Sequence, residues 1–145
     1  MIIPRIGFIS ITLSLLLSCF LMVIAGSPAR SAGTAPRNLW TPGNVALVQT
    51  DNDWRYVHFP SNLRLYVFDG DAPNKSNCNE GCWGAWQPLS VTGNETPGGD
   101  WTIFARDDGT KQWAYKGRPV YSRFHDSVQE PIGNGIDGNW HFVEP

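Results

Sequence analysis

Apolar residues that alternate with polar ones, in runs separated by short polar breaks, fill most of the chain from residue 44 onward. Trp54, Tyr56 and His58 lie on one side of such an alternation, and this period of two is typical of β-strands. The pattern predicts six strands, at residues 44–50, 54–59, 63–68, 101–107, 111–115 and 118–124. Asp108-Gly109 and Lys116-Gly117 are turn sequences between the later strands. We therefore predict a mainly β fold of two antiparallel three-strand meanders.

The two meanders form an internal repeat, with halves at about 44–90 and 100–145. Tyr66 is followed five positions later by Asp71, and Tyr121 is followed at the same spacing by Asp126. Further correspondences are Trp54 with Trp113, Tyr56 with Tyr115, and Trp86 with Trp140. Two such copies can bury their aromatic faces against each other, in one sandwich or barrel-like domain over residues 44–145. A short helical turn is predicted within residues 76–86.

The first 32 residues have the pattern of a secretory signal peptide. Arg5 precedes an uncharged apolar run, and small residues follow it, so cleavage is expected after Ala25, Ala29 or Ser31. An uncleaved signal anchor is the alternative, because about twenty apolar residues can span a bilayer. Cys19 lies in a sequence close to a lipobox and is a candidate lipidation site. Residues 33–43 are predicted to be a linker, and the protein is expected to be periplasmic or extracellular.

Charge and cysteine content narrow the class of protein further. After the signal, the chain contains nine Lys and Arg residues and thirteen Asp and Glu residues, which gives a formal charge of −4. The sequence shows no basic patch, so we do not expect nucleic acid as a partner. Cys78 and Cys82 are the cysteines that remain in the exported chain. Two cysteines in an exported protein predict a structural disulfide between them.

Several of these motifs, in the same order, resemble a known family. Tyr66-Val-Phe68-Asp-Gly-Asp71 is a full copy of a Tyr-x-aromatic-x-x-Asp motif, and Tyr121 to Asp126 is a second copy with Arg123 at the aromatic position. These features resemble the bacterial secreted-repeat lipoproteins marked by that motif, over about residues 44 to 144. The resemblance implies an exported envelope protein, often lipid-anchored, without an established biochemical function. The incomplete lipobox departs from that pattern.

The paired motif admits a structural and a functional interpretation. In the structural one, each tyrosine buries its ring at a strand end, and each aspartate binds backbone N–H groups of the loop that follows. In the functional one, Tyr66, Asp71, Tyr121 and Asp126 line a shared groove. We favour the structural interpretation, because loops of Gly, Asn and Asp need such anchors. If a functional site exists, it is expected where the copies have diverged, at Phe68 against Arg123 and at Gly70 against His125.

Metal and haem sites are weaker candidates. Asp69, Asp71, Asn77 and Glu80 have the spacing of a calcium-binding EF-hand loop, but Pro73 and Asn74 occupy positions where a ligand and a glycine belong. His125 and His141 are candidate ligands for copper or haem iron, although their spacing does not require it. We therefore expect no cofactor, with haem, copper or calcium as alternatives.

Function follows from what the sequence contains and what it lacks. The sequence shows no nucleophile motif and no acid pair of defined spacing, so we do not expect an enzyme. The leading hypothesis is a non-catalytic envelope module that binds another envelope component or a small ligand. Trp83, Trp86 and Trp113 are candidates for an exposed aromatic platform, although core packing is the commoner use. The alternative is a haem- or metal-binding carrier in envelope redox or metal handling.

Overall fold

The computed structural model describes residues 34–82 and 84–145, and the predicted signal segment, Cys19 and Trp83 lie outside them. Nine β-strands occupy this part of the chain: β1 (Val45–Gln49), β2 (Trp54–His58), β3 (Leu63–Arg64), β4 (Tyr66–Phe68), β5 (Trp86–Pro88), β6 (Trp101–Ala105), β7 (Lys111–Tyr115), β8 (Arg118–Arg123) and β9 (Trp140–Phe142). The strands form a three-stranded sheet, β1-β2-β3, and a six-stranded sheet, β6-β7-β8-β4-β9, in which β5 also pairs with β8. Every pairing is antiparallel. The predicted mainly β fold is confirmed.

The third strand of the first meander is divided between the two sheets. The sequence predicts a single strand over 63–68, but β3 pairs with β2 while β4 pairs with β8 and β9. Leu65 lies at the division and is fully buried. A strand that passes from one sheet to the other makes a corner of the sandwich, which is how β-sandwiches turn their sheets. The first repeat therefore contributes directly to the sheet of the second.

Two hydrophobic cores lie on opposite faces of the central strands, because side chains alternate along a strand. One core is built from both sheets and includes Leu65, Val67, Val120, Trp101 and Trp113. The other consists of Tyr66, Cys78, Trp86, Tyr121 and Trp140. The loops after β4 and β8 cover this second core in place of a further sheet.

The Cys78–Cys82 disulfide is present, as predicted. Its surroundings are hydrogen-bonded turns, in which the N–H groups of Ala85 and Trp86 both donate to the carbonyl of Cys82. The short helical segment lies elsewhere, as a 3-10 helix at Ile136–Gly138. Gly81 and Gly84 disfavour a longer helix beside the disulfide.

The end of the predicted linker packs on the domain. The Trp40 ring lies with its centroid 5.9 Å from that of Trp113, and Pro42 is buried. Gly98 leaves room for this ring, since a Cβ atom there would lie 2.5 Å from Trp40. Within residues 34–82 and 84–145, no helix is long and apolar enough to cross a membrane.

Candidate functional site

The two motif tyrosines lie opposite each other at the centre of the molecule. Strands β4 and β8 are antiparallel neighbours, and Tyr66 is in direct register with Tyr121. Both residues are fully buried, so their hydroxyl groups must find partners inside the protein. An antiparallel pair with equivalent residues opposite each other has an approximate twofold axis between them. The repeat therefore generates a local pseudo-twofold arrangement.

Each tyrosine hydroxyl donates a hydrogen bond to the aspartate of the other repeat. The distance is 2.6 Å from Tyr66 Oη to Asp126 Oδ2 and 2.7 Å from Tyr121 Oη to Asp71 Oδ2. Hydrogen bonds this short to a carboxylate are among the stronger ones in proteins. The Tyr-x4-Asp spacing therefore does not mark a pair that interacts within one copy, but two pairs that cross between copies.

The same aspartates hold the loops that follow them. Asp71 Oδ1 accepts the N–H of Asn77, and Asp126 Oδ1 accepts the N–H of Ile132, both at 2.7 Å and both six positions along the chain. Burial raises the pKa of Asp71, although the N–H groups of Asn77 and Cys78 and the Tyr121 hydroxyl favour its charged form. Burial likewise raises the pKa of Tyr66 and Tyr121, so both phenols stay protonated and act as donors.

The strands that close the two loops also cross between the repeats. β5 follows the first loop but pairs with β8, and β9 follows the second loop but pairs with β4. This exchange brings Trp86 and Trp140 together, with ring centroids 3.6 Å apart and planes 6° from parallel. The repeats are thus interlocked through strands, hydrogen bonds and an aromatic stack.

The third motif position extends this stack on both sides. Phe68 stacks on Trp140 at 4.7 Å, and the guanidinium of Arg123 lies 5.5 Å from the Trp86 ring centroid. The aromatic residue and the arginine are therefore equivalent in position, and both cover an indole ring. A cation over a tryptophan is a favourable contact, which explains why arginine is tolerated there.

Strand register corrects two correspondences between the repeats, those of Trp54 with Trp113 and of Tyr56 with Tyr115. The turn between β2 and β3 spans 59–62, whereas that between β7 and β8 spans only 116–117, since His58 pairs with Leu63 and Tyr115 with Arg118. Counted from the paired tyrosines, Tyr56 is therefore equivalent to Trp113 and not to Tyr115. Length differences between turns shift a correspondence that is read from residue types alone.

Two cavities on the two sides of the pseudo-twofold axis share part of their lining by strand register. The rest of the second cavity corresponds to a further cavity lined by Val67, Tyr115, Phe142 and Glu144 among others. The first, here called the charged cleft, has a volume of about 330 Å³ and is lined by Asp69, Asp71, Lys116 and Arg118 among others. Asp69 accepts hydrogen bonds at 2.5 Å from Arg118 and at 2.8 Å from His141, so its carboxylate links the guanidinium and the imidazole. The hydrogen bond to His141 is the main reason that the pKa of Asp69 is lowered.

The second cavity, here called the open groove, has a volume of about 490 Å³. Its lining includes Asn44, His58, Ser61, Leu63, Gln87, Ser122, Arg123, Phe124 and His125. By strand register, Leu63, Gln87 and Phe124 stand where the charged cleft has Arg118, His141 and Asp69. The ion-paired cluster on one side is thus replaced by uncharged residues on the other.

Several polar side chains in the open groove are unengaged. The described residues supply no hydrogen-bond partner for the side chains of Gln87, Ser122, Arg123 and His125. Arg123 Nε and Asn44 Oδ1 are even buried without such a partner. They are two of six such atoms among the described residues, and the other four, such as Arg64 Nε and Trp113 Nε1, lie outside the groove.

The backbone of His125 is a further difference between the copies. His125 has a φ of 58°, in the left-handed region, where a side chain costs about 1–2 kcal/mol. At the equivalent Gly70, a Cβ atom would lie 2.4 Å from the Phe68 ring. Because Arg123 replaces that phenylalanine, the second copy has space for a side chain here. Strained residues of this kind cluster at functional sites.

The structure separates the other residues that the sequence singled out. Asp69 and His141 meet in one ion pair, His125 lies in the open groove, and Glu80 lines a third cavity with Asp107 and Asp108. Among the described residues, no group of three or more His, Cys, Asp or Glu side chains could hold a metal ion. The four oxygen ligands of the EF-hand spacing are therefore not assembled. Trp86 and Trp113 are buried and form no exposed platform.

The sequence did not single out Gln87, Ser122 or Ser61, although all three line the open groove. His58 was interpreted as an ordinary strand histidine. The missing signal was the register across the repeat interface, which decides which polar residues share a surface.

Comparison with known proteins agrees with the motif resemblance. The search of curated proteins and the search of solved structures give no match. Residues 102–144 match the model of a family described as a secreted repeat of unknown function. This segment is the second repeat, and the strand register relates the first repeat to it. The resemblance of the chain to the secreted-repeat family is therefore confirmed over residues 102–144.

Proposed function

We propose that the protein is an exported, non-catalytic binding module and that the open groove is its binding site. The observation that carries this proposal is the asymmetry of the two cavities. On one side Asp69 bonds to Arg118 and His141, while on the other Gln87, Ser122 and His125 have no side-chain hydrogen bond to another described residue. A cavity of about 490 Å³ with convergent polar groups is in the range of small-molecule sites.

The paired motif supports this division of roles. Both tyrosine hydroxyls and both oxygens of each motif aspartate have partners within the protein. Groups that are satisfied and buried are not available to a ligand. The motif thus builds the scaffold that positions the open groove, and the diverged residues beside it supply the specificity.

Recognition fits the groove better than catalysis does. Ser61 Oγ lies 2.9 Å from His58 Nδ1, a distance at which a histidine can activate a hydroxyl. Both residues, however, belong to one turn, and no carboxylate among the residues lining the groove orients the imidazole.

Amide NMR spectra of the labelled exported protein would test the proposal. The probes are neutral and acidic saccharide fractions prepared from the envelope of the producing cell. We expect chemical-shift changes that cluster at Gln87, Ser122 and His125. Gln87→Ala should weaken this response, whereas His141→Ala, its equivalent in the charged cleft, should not. Changes confined to the charged cleft, or none with either fraction, would overturn the proposal.

The metal-carrier alternative rests on His58 and His125 lining the same groove. Two imidazoles are fewer ligands than structural metal sites use, so a further ligand from outside this set would be needed. Metal analysis and an absorbance spectrum of protein from its native compartment would decide. Stoichiometric copper or a Soret band that His125→Ala removes would replace the binding module with a carrier.

A further inference from the structure

We infer that the open groove recognises a neutral, hydroxyl-rich ligand with an apolar face, such as a hexose unit of a saccharide. The inference rests on the proposed function and names the class of ligand. Gln87 and Ser122 are the residues assigned to the hydroxyl groups of the ligand, and Phe124 is assigned to its apolar face.

The assigned side chains lie on one face of the fold. Four residues of the lining stand two positions along the chain from a member of the core that both sheets build, and so continue its face: His58, Leu63, Gln87 and Ser122. Gln87 and Ser122 are direct partners across β5 and β8. Phe124 follows two positions after Ser122 and extends the same pairing, because its N–H donates to the carbonyl of Ala85. The open groove is therefore the end at which this core opens to solvent.

The free polar groups on this face match the hydrogen bonding of hydroxyl groups. The side chains of Gln87 and Ser122 have no hydrogen bond to another described residue. An amide and a hydroxyl each donate and accept hydrogen bonds, and a sugar hydroxyl does both as well. A carboxylate or phosphate would pair only with their donors, and an ammonium group only with their acceptors. Neighbouring hydroxyl groups on one ring can pair with both side chains completely.

The charge of this face favours a neutral ligand. The lining contains no aspartate or glutamate, and its arginine belongs to the other face. Arg123 is opposite Trp86 in the strand register, and its guanidinium lies 5.5 Å from the centroid of that ring. Burial lowers the pKa of His58, so its imidazole is uncharged at neutral pH. A charged ligand would therefore lose hydration on this face without meeting a fixed opposite charge.

Apolar surface beside the polar pair suits a sugar ring. Phe124 is 41% exposed at the edge of the groove, and Leu63 adds apolar surface to its lining. A hexose carries C–H groups on a ring face in addition to its hydroxyl groups, and an aromatic side chain can cover that face. In the charged cleft the equivalent residues are Asp69 and Arg118, which are engaged with each other. Polar and apolar contacts of this combination are therefore particular to the open groove.

Amide NMR titration with the methyl glycosides of glucose, galactose and mannose tests the inference. The matched probes are the corresponding uronides, in which a carboxylate replaces one hydroxymethyl group, and cyclohexanol, a ring with a single hydroxyl. We expect at least one neutral glycoside to shift the amides of Gln87 and Ser122. It should bind at least about tenfold more tightly than its uronide or cyclohexanol. Equal binding of the uronide would overturn the assignment of a neutral ligand, and equal binding of cyclohexanol would overturn the role of the hydroxyl groups.

Matched variants locate the effect. Gln87→Glu keeps the shape of the side chain but replaces its donor with a charge, so the affinity for the neutral glycoside should fall about tenfold or more. Phe124→Ala should lower it about threefold or more, because the ring contact is lost. Asp69→Asn in the charged cleft and Val128→Ala, an exposed apolar residue outside the lining, should leave it within about twofold.

The results of these variants can contradict the assignment directly. Unchanged affinity in both Q87E and F124A would overturn it, as would an equal loss in D69N or V128A. The melting temperature of each variant shows whether a loss of binding reflects unfolding.

The outcomes separate this inference from the proposed function. If no neutral glycoside binds while an envelope fraction still shifts the Gln87 amide, the groove binds another class of ligand and only this inference is wrong. If neither the glycosides nor the fractions bind at the groove, both are wrong. Glycoside shifts confined to the charged cleft, as at His141, would also contradict both.

Discussion

The charged cleft and the open groove are two versions of one surface. Both are formed where a meander turn approaches the strands that cross between the repeats. On one side Asp69 bonds to both Arg118 and His141, and on the other the equivalent residues Phe124, Leu63 and Gln87 are uncharged. The comparison teaches that the same crossed scaffold can carry an ion-paired surface on one side and an uncharged one on the other. It also gives each functional experiment an internal control.

The largest expected effect is on the shared scaffold. Trp140→Ala removes a ring that stacks on both Trp86 and Phe68, so we expect a loss of about 3–5 kcal/mol in the free energy of unfolding. Denaturant unfolding measures that loss, and near-ultraviolet circular dichroism should lose the signal of the paired indoles. Trp40→Ala, at a partly exposed ring, should cost much less. Equal losses in the two variants would argue against a central role for the stack.

A smaller loss is expected where the second loop approaches Tyr66. A Cβ atom at Gly133 would lie 2.5 Å from the Tyr66 ring and 2.9 Å from that of Trp86. Gly133→Ala should therefore destabilise the protein by about 1–3 kcal/mol through overpacking. Gly81→Ala is the matched control, since a Cβ atom there meets nothing within 4 Å. Thermal unfolding of both variants checks this, and an unchanged G133A would show that the loop is not packed as described.

Asp71 and Asp69 should give opposite dependences on pH. Burial raises the pKa of Asp71, so protonation favours the folded state and that contribution is lost as the pH rises through the raised pKa. Hydrogen bonding lowers the pKa of Asp69. The stability that charged Asp69 adds to the folded state is therefore present above the ordinary pKa of 3.8 and lost as the pH falls. The stability of wild type relative to Asp71→Asn should decrease as the pH rises above about 4, and that relative to Asp69→Asn should decrease as the pH falls below about 4. Chemical denaturation across this range measures both, and slopes of the same sign would refute the assignment.

The smallest expected effect separates stability from function at one residue. Because His125 has a φ of 58°, His125→Gly should leave the free energy of unfolding unchanged or raise it by up to about 1 kcal/mol. It should at the same time weaken binding in the open groove. Lys116, in the charged cleft, has a similar left-handed backbone with a φ of 48°. Lys116→Gly should relieve that backbone strain and leave binding in the open groove unchanged. A marked loss of stability in H125G would show that the side chain has a structural role.

The strands and the disulfide could be predicted because they depend on local patterns. Alternation places the strand cores correctly, and Lys111–Tyr115 matches its predicted bounds. The exchange of β5 and β9 could not be predicted, since short segments such as Trp86–Pro88 have no strong pattern of their own. They become strands only because β8 and β4 offer edges to pair with.

The same limit applies to the site. The sequence shows that Arg123 and His125 differ from Phe68 and Gly70, and a functional site at this divergence stays a prediction. The sequence does not show that Gln87 lies beside Ser122, or that Asp69 is hydrogen-bonded to Arg118 and His141. Those facts depend on which strands pair across the repeat interface. Pairing between distant segments is set by the whole fold.

The crossing of the Tyr-Asp pairs between repeats is the central claim, and double-mutant cycles on the free energy of unfolding test it most directly. One cycle combines Tyr66→Phe with Asp126→Asn, whose side chains are 2.6 Å apart, and the other combines Tyr66→Phe with Asp71→Asn from the same copy of the motif. We predict a coupling of about 1–2 kcal/mol in the first cycle and less than about 0.5 kcal/mol in the second. A larger coupling of Tyr66 to Asp71 than to Asp126 would contradict the interlocked arrangement.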